Sequence, residues 1–156
     1  MTDDETDNPG VITHPPFIYG GFAVMGVIIN QFAGVKFIDE PGQYWGGGAV
    51  ILGGLALLAG GVYQFRRAGT NVPTHKPATS VVTTGLYALT RNPLYMALTL
   101  IYTGIALAID NIIMLGLLAP LFVVMHFGVI SREEAYLEAK FGDEYRDYKE
   151  RVRRWL

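Results

Sequence analysis

The chain has 156 residues, of which 51% are hydrophobic and only 17% are charged, with a formal net charge of −2 at pH 7. Its mean hydropathy of +0.29 excludes an ordinary soluble domain with a single core and favours a membrane protein. The absence of cysteine excludes disulfides, thiolate metal ligands and thiolate nucleophiles. Neither a metal site nor a nucleic-acid partner is predicted.

Residues 1–14 form an acidic tail that precedes the first of four apolar segments. Each segment approaches the length of about 20 residues that a membrane-spanning helix requires. The first lacks the basic flank and the cleavage site of a signal peptide, so we expect it to be retained. The segments are Pro15 to Gly34, Tyr44 to Phe65, about Asn92 to Ile109, and Asn111 to Ile130. The sequence therefore predicts an all-α, polytopic membrane protein with a four-helix transmembrane domain over residues 15–130.

The second apolar segment contains small residues at helical spacing, which predict a flat face against which another helix packs closely. The segment lacks a GxGxxG motif, so packing is favoured over a cofactor loop. The partner helix belongs either to the same chain or to a second copy, which leaves a homo-oligomer open. The residues of this face are Ala49, Gly53, Ala56 and Gly60.

Lys and Arg are unevenly distributed among the connections between the segments. With four spans, all 12 except Lys36 lie on the side that carries both termini and the polar 66–84 connection. That connection has two prolines and no helical periodicity, which predicts a loop. Because Lys and Arg accumulate on the cytoplasmic side, we expect both termini and the 66–84 loop to be cytoplasmic.

The third segment begins with Arg91-Asn92-Pro93, and the tight connection at residues 110–111 makes it and the fourth segment an antiparallel hairpin. Because proline favours the first helical turn and disfavours helix before it, Asn92 is predicted as the cap and Pro93 as the first helical residue. The free N–H groups of this turn, with Arg91 beside them, predict a site for a carboxylate or phosphate. Contact of Arg91 with a lipid phosphate alone would equally explain its position.

Ionisable residues also lie at the matching end of the fourth segment. His126 lies within the apolar run, and Glu133 follows seven residues later, on nearly the same face of a continued helix. A histidine bonded to a neighbouring helix is favoured over a catalytic one. Ser131 and Glu134 fit a capping box, which leaves Glu133 without a structural role. Arg91 and Glu133 together suit a zwitterionic ligand that carries both a carboxylate and an ammonium group.

Residues 131–156 are predicted to form amphipathic helices at the membrane interface. Gly142 and Asp143 mark a boundary between two helices, as a C-terminal stop followed by an N-cap. Basic residues occupy the other faces, as expected for helices among lipid headgroups. The apolar face consists of Leu137, Phe141, Tyr145, Tyr148, Val152 and Trp155.

Two stretches carry a resemblance to a known family: GTNVPTHKPATSVVTTGLYALTRNPLY and, after an apolar hairpin, REEAYLEAKFGDEYRDYKERVRRWL. Over about residues 66–156 the chain resembles the isoprenylcysteine carboxyl methyltransferases and the related phospholipid methyltransferases, which are integral membrane enzymes that use S-adenosylmethionine. Their shared pattern is an Arg-His-Pro-x-Tyr-x-Gly segment, a hydrophobic stretch and a Glu-Glu pair. Arg91, Pro93, Tyr95, Glu133 and Glu134 match that pattern.

The resemblance implies a cofactor site between the hairpin and the C-terminal helices, with Arg91, Glu133 and Glu134 as the catalytic residues. Asn92 and Thr79 stand where many members have histidine, so imidazole chemistry is not expected at either position. Asn92 is expected to act as a cap and a polar contact. The implied cofactor contacts are Val82, Thr83, Gly85, Tyr87, Arg91, Asn92, Pro93, Tyr95 and Glu133.

The resemblance implies transfer of a methyl group from S-adenosylmethionine, leaving S-adenosylhomocysteine, to a lipophilic acceptor in contact with membrane lipids. An isoprenylcysteine-like carboxylate or a thiolate arrives nucleophilic, whereas a lipid ammonium must first lose a proton to the Glu pair or His126. Two other functions stay open: a non-enzymatic membrane scaffold whose basic tail binds anionic lipid, and a sterol-reductase-like oxidoreductase, for which the chain is short. Binding of S-adenosylmethionine discriminates among them.

Overall fold

A computed structural model describes residues 7–33, 36–38, 40–72 and 77–156. Residues 1–6 of the predicted acidic tail, the end of the first segment at Gly34 and the middle of the 66–84 loop lie outside these ranges. Ordered elements in the described ranges are helical, which confirms the predicted all-α class. They are α1 (Pro15–Ala33), α2 (Gly42–Arg67), a short 3-10 helix (Gly85–Ala88), α3 (Pro93–Ala108), α4 (Ile112–Phe141) and α5 (Asp143–Arg151).

Three helices, α1, α2 and α4, are long and apolar enough to cross a membrane. The third predicted segment forms the shorter apolar helix α3, which has 16 residues. At 1.5 Å per residue α3 is about 24 Å long, less than the roughly 30 Å of a bilayer core. Three candidate spans are therefore supported by length and composition, and the fourth span stays a prediction.

Helix α2 packs closely on α3 through glycines, but on a different face from the one predicted from the sequence. A Cβ atom at Gly47 would lie 2.5 Å from the backbone N of Ala108, and one at Gly54 would lie 2.8 Å from the Ile101 side chain. The contact face repeats every seven residues, at Gly47, Gly54 and Gly61, whereas Ala49, Gly53 and Ala56 are exposed. Small residues lie on several faces of α2, so spacing alone did not identify the packed one.

The connection between α3 and α4 is as tight as predicted. Asp110 adopts a left-handed conformation with φ of 51°, which Asp tolerates better than most residues. The Asn111 side chain accepts a hydrogen bond from the Met114 N–H at 3.0 Å and donates one to the Gly26 carbonyl at 3.2 Å. This cap starts α4 and ties the hairpin to α1.

The core and the exposed surface of the helices differ sharply. A core cluster between α1, α3 and α4 is built around Met114, Leu121 and Met125, which are fully buried. By contrast, Phe32 on α1 and Trp45 on α2 are 88% and 77% exposed. Apolar surface of this kind marks contact with lipid or with other proteins, in agreement with a membrane protein.

The C-terminal residues fold back on the helices. Gly142, with φ of 56°, separates α4 from α5, as the sequence predicted. The predicted apolar face does not point away from the protein, because Tyr145, Tyr148 and Val152 form a buried cluster with Val81, Leu137 and Phe141. The position of these helices at the membrane interface stays a prediction, but their apolar side chains pack on protein.

Candidate active site

The start of α3 is held by the C-terminal segment of the chain. Pro93 is the first helical residue, as predicted, and Asn92 occupies the cap position without a side-chain capping bond. The Asn92 amide instead donates to the Arg154 carbonyl at 3.1 Å, which the Thr90 hydroxyl also contacts at 3.0 Å. The predicted cap position and the predicted polar contact of Asn92 are therefore confirmed, but its side chain fixes the tail and does not cap the helix.

Glu134 is shared by two arginines. Its carboxylate lies 3.3 Å from Nη2 of Arg91, and it accepts a hydrogen bond of 3.1 Å from Nε of Arg154 and a second bond from Nη2 of Arg154. The predicted capping box with Ser131 is wrong, since α4 continues through Ser131 and leaves no free helix end there. Glu134 thus joins the start of α3 to the C-terminal segment.

Arg91 retains unused hydrogen-bonding capacity. Its side chain is 11% exposed, and its Nε and Nη1 atoms are buried without a hydrogen-bond partner in the described part of the chain. Buried donors of this kind are rare in proteins, and each N–H of a guanidinium can form a charge-assisted hydrogen bond with an anion. Arg91 can therefore bind an anion while it keeps its contact with Glu134.

Glu133 has a separate partner. The Tyr95 hydroxyl lies 2.6 Å from each of its carboxylate oxygens, and both residues are 7% exposed. Tyr95 is itself fixed by Tyr19, whose hydroxyl donates to the Tyr95 carbonyl at 3.2 Å. Glu133 therefore lies in a buried position with a defined orientation, where it can accept a proton or bind an ammonium group.

A cavity of about 70 Å³ joins these groups, between the start of α3, the second half of α4, helix α5 and the chain around residues 78–82. Aromatic rings form much of its wall, including Phe65 and Tyr87, whose centroids lie 5.0 Å apart. Burial raises the pKa of the Tyr148 phenol, which stays protonated and donates to the Tyr87 carbonyl at 2.7 Å. The predicted residues that line the cavity are Val82, Tyr87, Arg91, Asn92, Pro93, Tyr95, Glu133 and Glu134.

Two predicted residues, Thr83 and Gly85, do not line this cavity. Gly85 has φ of 62°, and an added Cβ atom would lie 2.4 Å from the Gln64 side chain. Gln64 also accepts a hydrogen bond from the Leu86 N–H at 3.1 Å. Gly85 therefore allows a close turn against α2, which is a structural reason for glycine at this position.

His126 and Glu133 do not share a face of α4, contrary to the prediction. A π-helical turn at His126–Ile130 changes the helical phase between them. His126 is not among the residues that line the cavity, and its Nδ1 lies 3.2 Å from Nη1 of Arg154. The favoured interpretation of His126, as a histidine held by a neighbouring segment, is the one that the contacts support.

The sequence did not identify Arg154 as a residue of the site. It also did not show that Tyr145 and Tyr148 line the cavity. The two tyrosines belong to the apolar stripe of the tail, but a stripe alone does not tell whether it contacts lipid or protein. Arg154 is one of four arginines between residues 146 and 154, and no local pattern separates it from the others. Its contacts arise from the way the tail returns to α3.

Comparisons with known proteins identify the family of the chain. A family model described as phospholipid methyltransferase matches residues 42–144, which include α2, α3, α4 and the start of α5. An uncharacterized protein from Haemophilus influenzae is 48% identical over 64 residues, which cover 40% of this chain and 100% of that protein. No solved structure matches the chain. The chain belongs to the phospholipid methyltransferase family.

Proposed function

We propose that the protein is an integral membrane methyltransferase that uses S-adenosylmethionine to methylate a lipid amine. Family membership supports a membrane methyltransferase with a lipid-type acceptor. The distribution of Lys and Arg supports a site on the cytoplasmic side, near the N-terminal end of α3. An amine is favoured over a carboxylate or thiol acceptor because the cavity contains a buried carboxylate that can act as a base.

The residues of the cavity fit S-adenosylmethionine in three ways. The partnerless Nε–H and Nη1–H groups of Arg91 are available as charge-assisted donors to the carboxylate of its amino-acid part. Glu133 matches the ammonium group, and the rings of Tyr87 and Phe65 match the flat adenine. The cavity is smaller than the roughly 300 Å³ or more of typical ligand pockets, so we expect its walls to separate when the cofactor binds.

S-adenosylmethionine, when bound, supplies an electrophilic methyl group on a positively charged sulfur. The residues of the chain then have to orient the reactants, exclude water and receive a proton. Glu133 is the candidate base: it takes the proton that the acceptor ammonium must lose before its nitrogen lone pair is available. Tyr95 holds that carboxylate in place through its hydroxyl. Arg91 and Glu134 bind and position the reactants.

A single observation supports this function most strongly: Arg91, which has two partnerless donors, lines the same cavity as the Tyr95–Glu133 pair. The direct test incubates the purified protein with methyl-labelled S-adenosylmethionine and a native lipid extract, and identifies the labelled product by mass. We expect label on an amine-containing phospholipid, and none with Glu133→Gln. Label on a carboxylate or thiol would refute the amine acceptor, and a folded protein that transfers no label would favour the non-enzymatic scaffold.

A further inference from the structure

The cavity lined by Arg91 and Glu133, here called the cofactor cavity, is too small for S-adenosylmethionine. Its volume is about 70 Å³, whereas typical ligand pockets have roughly 300 Å³ or more. One of its walls therefore has to move, and that wall has to stay displaced while the ligand is bound. Any contact that holds the wall in its present position then opposes binding of the cofactor.

The walls of the cofactor cavity differ in how they are attached. Helices α3 and α4 are the two arms of one hairpin. Helix α5 and the residues after it are fixed to the start of α3, because Tyr148 donates to the Tyr87 carbonyl at 2.7 Å and the Arg91 N–H donates to the Arg153 carbonyl at 3.0 Å. The remaining wall, residues 78–82, has no regular secondary structure. We therefore expect this wall to be the one that moves.

The wall at residues 78–82 is tied to α4 through the backbone of Ala78, which is 2% exposed. The Ala78 N–H donates a hydrogen bond of 3.2 Å to the hydroxyl of Tyr136. The next residue, Thr79, bonds within its own connection, and Val81 adds an apolar contact with the cluster on α5. Tyr136 is thus a polar attachment between this wall and α4.

Residues 7–12 lie along α4 and are here called the strap. The Ile12 N–H donates to the Gly128 carbonyl at 3.2 Å, and a Cβ atom at Gly128 would lie 2.5 Å from the Ile12 side chain. One turn farther along α4, Nη1 of Arg132 donates to the Gly10 carbonyl at 2.8 Å. The C-terminal end of the strap is therefore closely packed on the helix.

The other end of the strap contacts Tyr136. The Tyr136 hydroxyl donates to the Asp7 carboxylate at 2.7 Å, and it accepts hydrogen bonds from Nζ of Lys140 at 3.0 Å and from the Ala78 N–H. A hydroxyl has one donor and two acceptor positions, so these three contacts use its full capacity. Donation to a carboxylate also makes the oxygen a stronger acceptor. Asp7 thereby strengthens the bond that holds the cavity wall.

We propose that the strap regulates the cofactor cavity by holding it closed. Through Tyr136, Asp7 keeps residues 78–82 against α4, and binding of S-adenosylmethionine breaks the contact between Ala78 and Tyr136. Because coupling between two sites is reciprocal, bound cofactor in turn loosens the strap. The strap precedes residues 42–144, the part of the chain that the family model matches. This inference rests on the proposed function and assigns Asp7 and Tyr136 as residues that lower the affinity for the cofactor.

Removing the Tyr136 hydroxyl should increase affinity, which damage to the fold would not do. Tyr136→Phe leaves the Ala78 N–H without its acceptor while the wall is closed. Calorimetry on the purified protein in detergent should show about ten-fold tighter binding of S-adenosylhomocysteine, the effect expected for one buried hydrogen bond. Tyr63→Phe, which removes a hydroxyl from an exposed tyrosine, should leave the affinity unchanged. Equal or weaker binding by Tyr136→Phe than by the unmodified protein would overturn the proposal.

Asp7→Ala tests the strap itself, at a side chain that is 38% exposed and that the fold should tolerate losing. We expect about three-fold tighter binding, because the Tyr136 hydroxyl keeps its bond to Ala78 but loses its own acceptor. Glu150→Ala removes the same charge from an exposed position on α5 and is the matched control. The double variant should bind no tighter than Tyr136→Phe alone, since Asp7 acts through that hydroxyl. Two factors that multiply would contradict this coupling.

Failure of this inference can be distinguished from failure of the proposed function. An unmodified protein that binds S-adenosylhomocysteine, with variants that bind it no tighter, would reject the strap and leave the methyltransferase proposal standing. A folded, monodisperse protein that binds no S-adenosylhomocysteine, with or without Tyr136→Phe, would reject the methyltransferase proposal and the inference with it.

Discussion

The pair of helices α3 and α4 has two very different sections. Around the start of α3, Tyr95, Glu133 and Glu134 are buried and Arg91 is nearly so, and other side chains pair with them and orient them. About a turn farther along, the same two helices form an open groove with mostly apolar walls. The difference arises from the C-terminal segment, which packs over the first section. This cover ends at Trp155. A short tail thus converts one end of a membrane hairpin into a polar site.

The largest loss of affinity for the cofactor product is expected from Arg91→Ala, a substitution in the polar section. This change removes the partnerless donors, and we expect the affinity for S-adenosylhomocysteine to fall by about 100-fold or more. Glu134 keeps its pairing with Arg154, so the protein should stay monodisperse. Affinity is measured by calorimetry, with Arg153→Ala as the control for lost charge. Unchanged affinity would mean that Arg91 has only a structural or lipid-contacting role.

Glu133→Gln should have the next largest effect, because it preserves shape but removes the charge that faces the ammonium group. We expect affinity for S-adenosylhomocysteine to fall by about 30-fold, a typical loss for a hydrogen bond to a charged group. 5′-Methylthioadenosine lacks the amino-acid part, so its affinity should not change in this variant. Equal losses for both ligands would show that the substitution disturbs the whole cavity and would contradict the assigned contact.

Tyr95→Phe tests how the carboxylate is positioned. The change removes the hydroxyl that lies 2.6 Å from both oxygens of Glu133. We expect a loss of about five-fold in affinity for S-adenosylhomocysteine, since the carboxylate loses one partner but remains in place. The matched control is Tyr63→Phe, which removes a hydroxyl from an exposed tyrosine on α2. A loss as large as that of Glu133→Gln would indicate that Tyr95 itself binds the ligand.

The smallest change in affinity for the cofactor product is expected from a substitution in the groove. Phe122→Ala widens the apolar section and removes the contact with the Trp155 ring, whose centroid lies 5.9 Å away. Affinity for S-adenosylhomocysteine should stay within about two-fold of the unmodified protein, because Phe122 does not line the cofactor cavity. A large loss would show that the two sections of the hairpin are not independent.

The part of the site that could be predicted from the sequence rests on local rules. The steric effect of proline fixed Pro93 as the first residue of α3, and the tight 110–111 connection brought α4 beside it. Together these placed Arg91 near Glu133 and Glu134. Composition and segment length likewise predicted an all-α membrane protein, although α3 is too short to count as a span by length alone.

The rest of the site depends on features that local sequence does not encode. The π-helical turn at His126–Ile130 shifts the phase of α4, so the seven-residue spacing does not place His126 and Glu133 on the predicted common face. The packed face of α2 depended on the shape of α3, which selects Gly47 and Gly54 over Gly53. Arg154 reached the site only through the path of the tail over residues 90–92.

We propose that Arg91 and the buried Glu133 together bind the amino-acid part of one zwitterionic ligand. Calorimetric titration of the purified protein in detergent with S-adenosylhomocysteine and with 5′-methylthioadenosine is the sharpest test. We expect saturable binding of S-adenosylhomocysteine at one site per chain, at least about 100 times tighter than that of the truncated ligand. A monodisperse protein that binds neither ligand, or binds both equally, would contradict it.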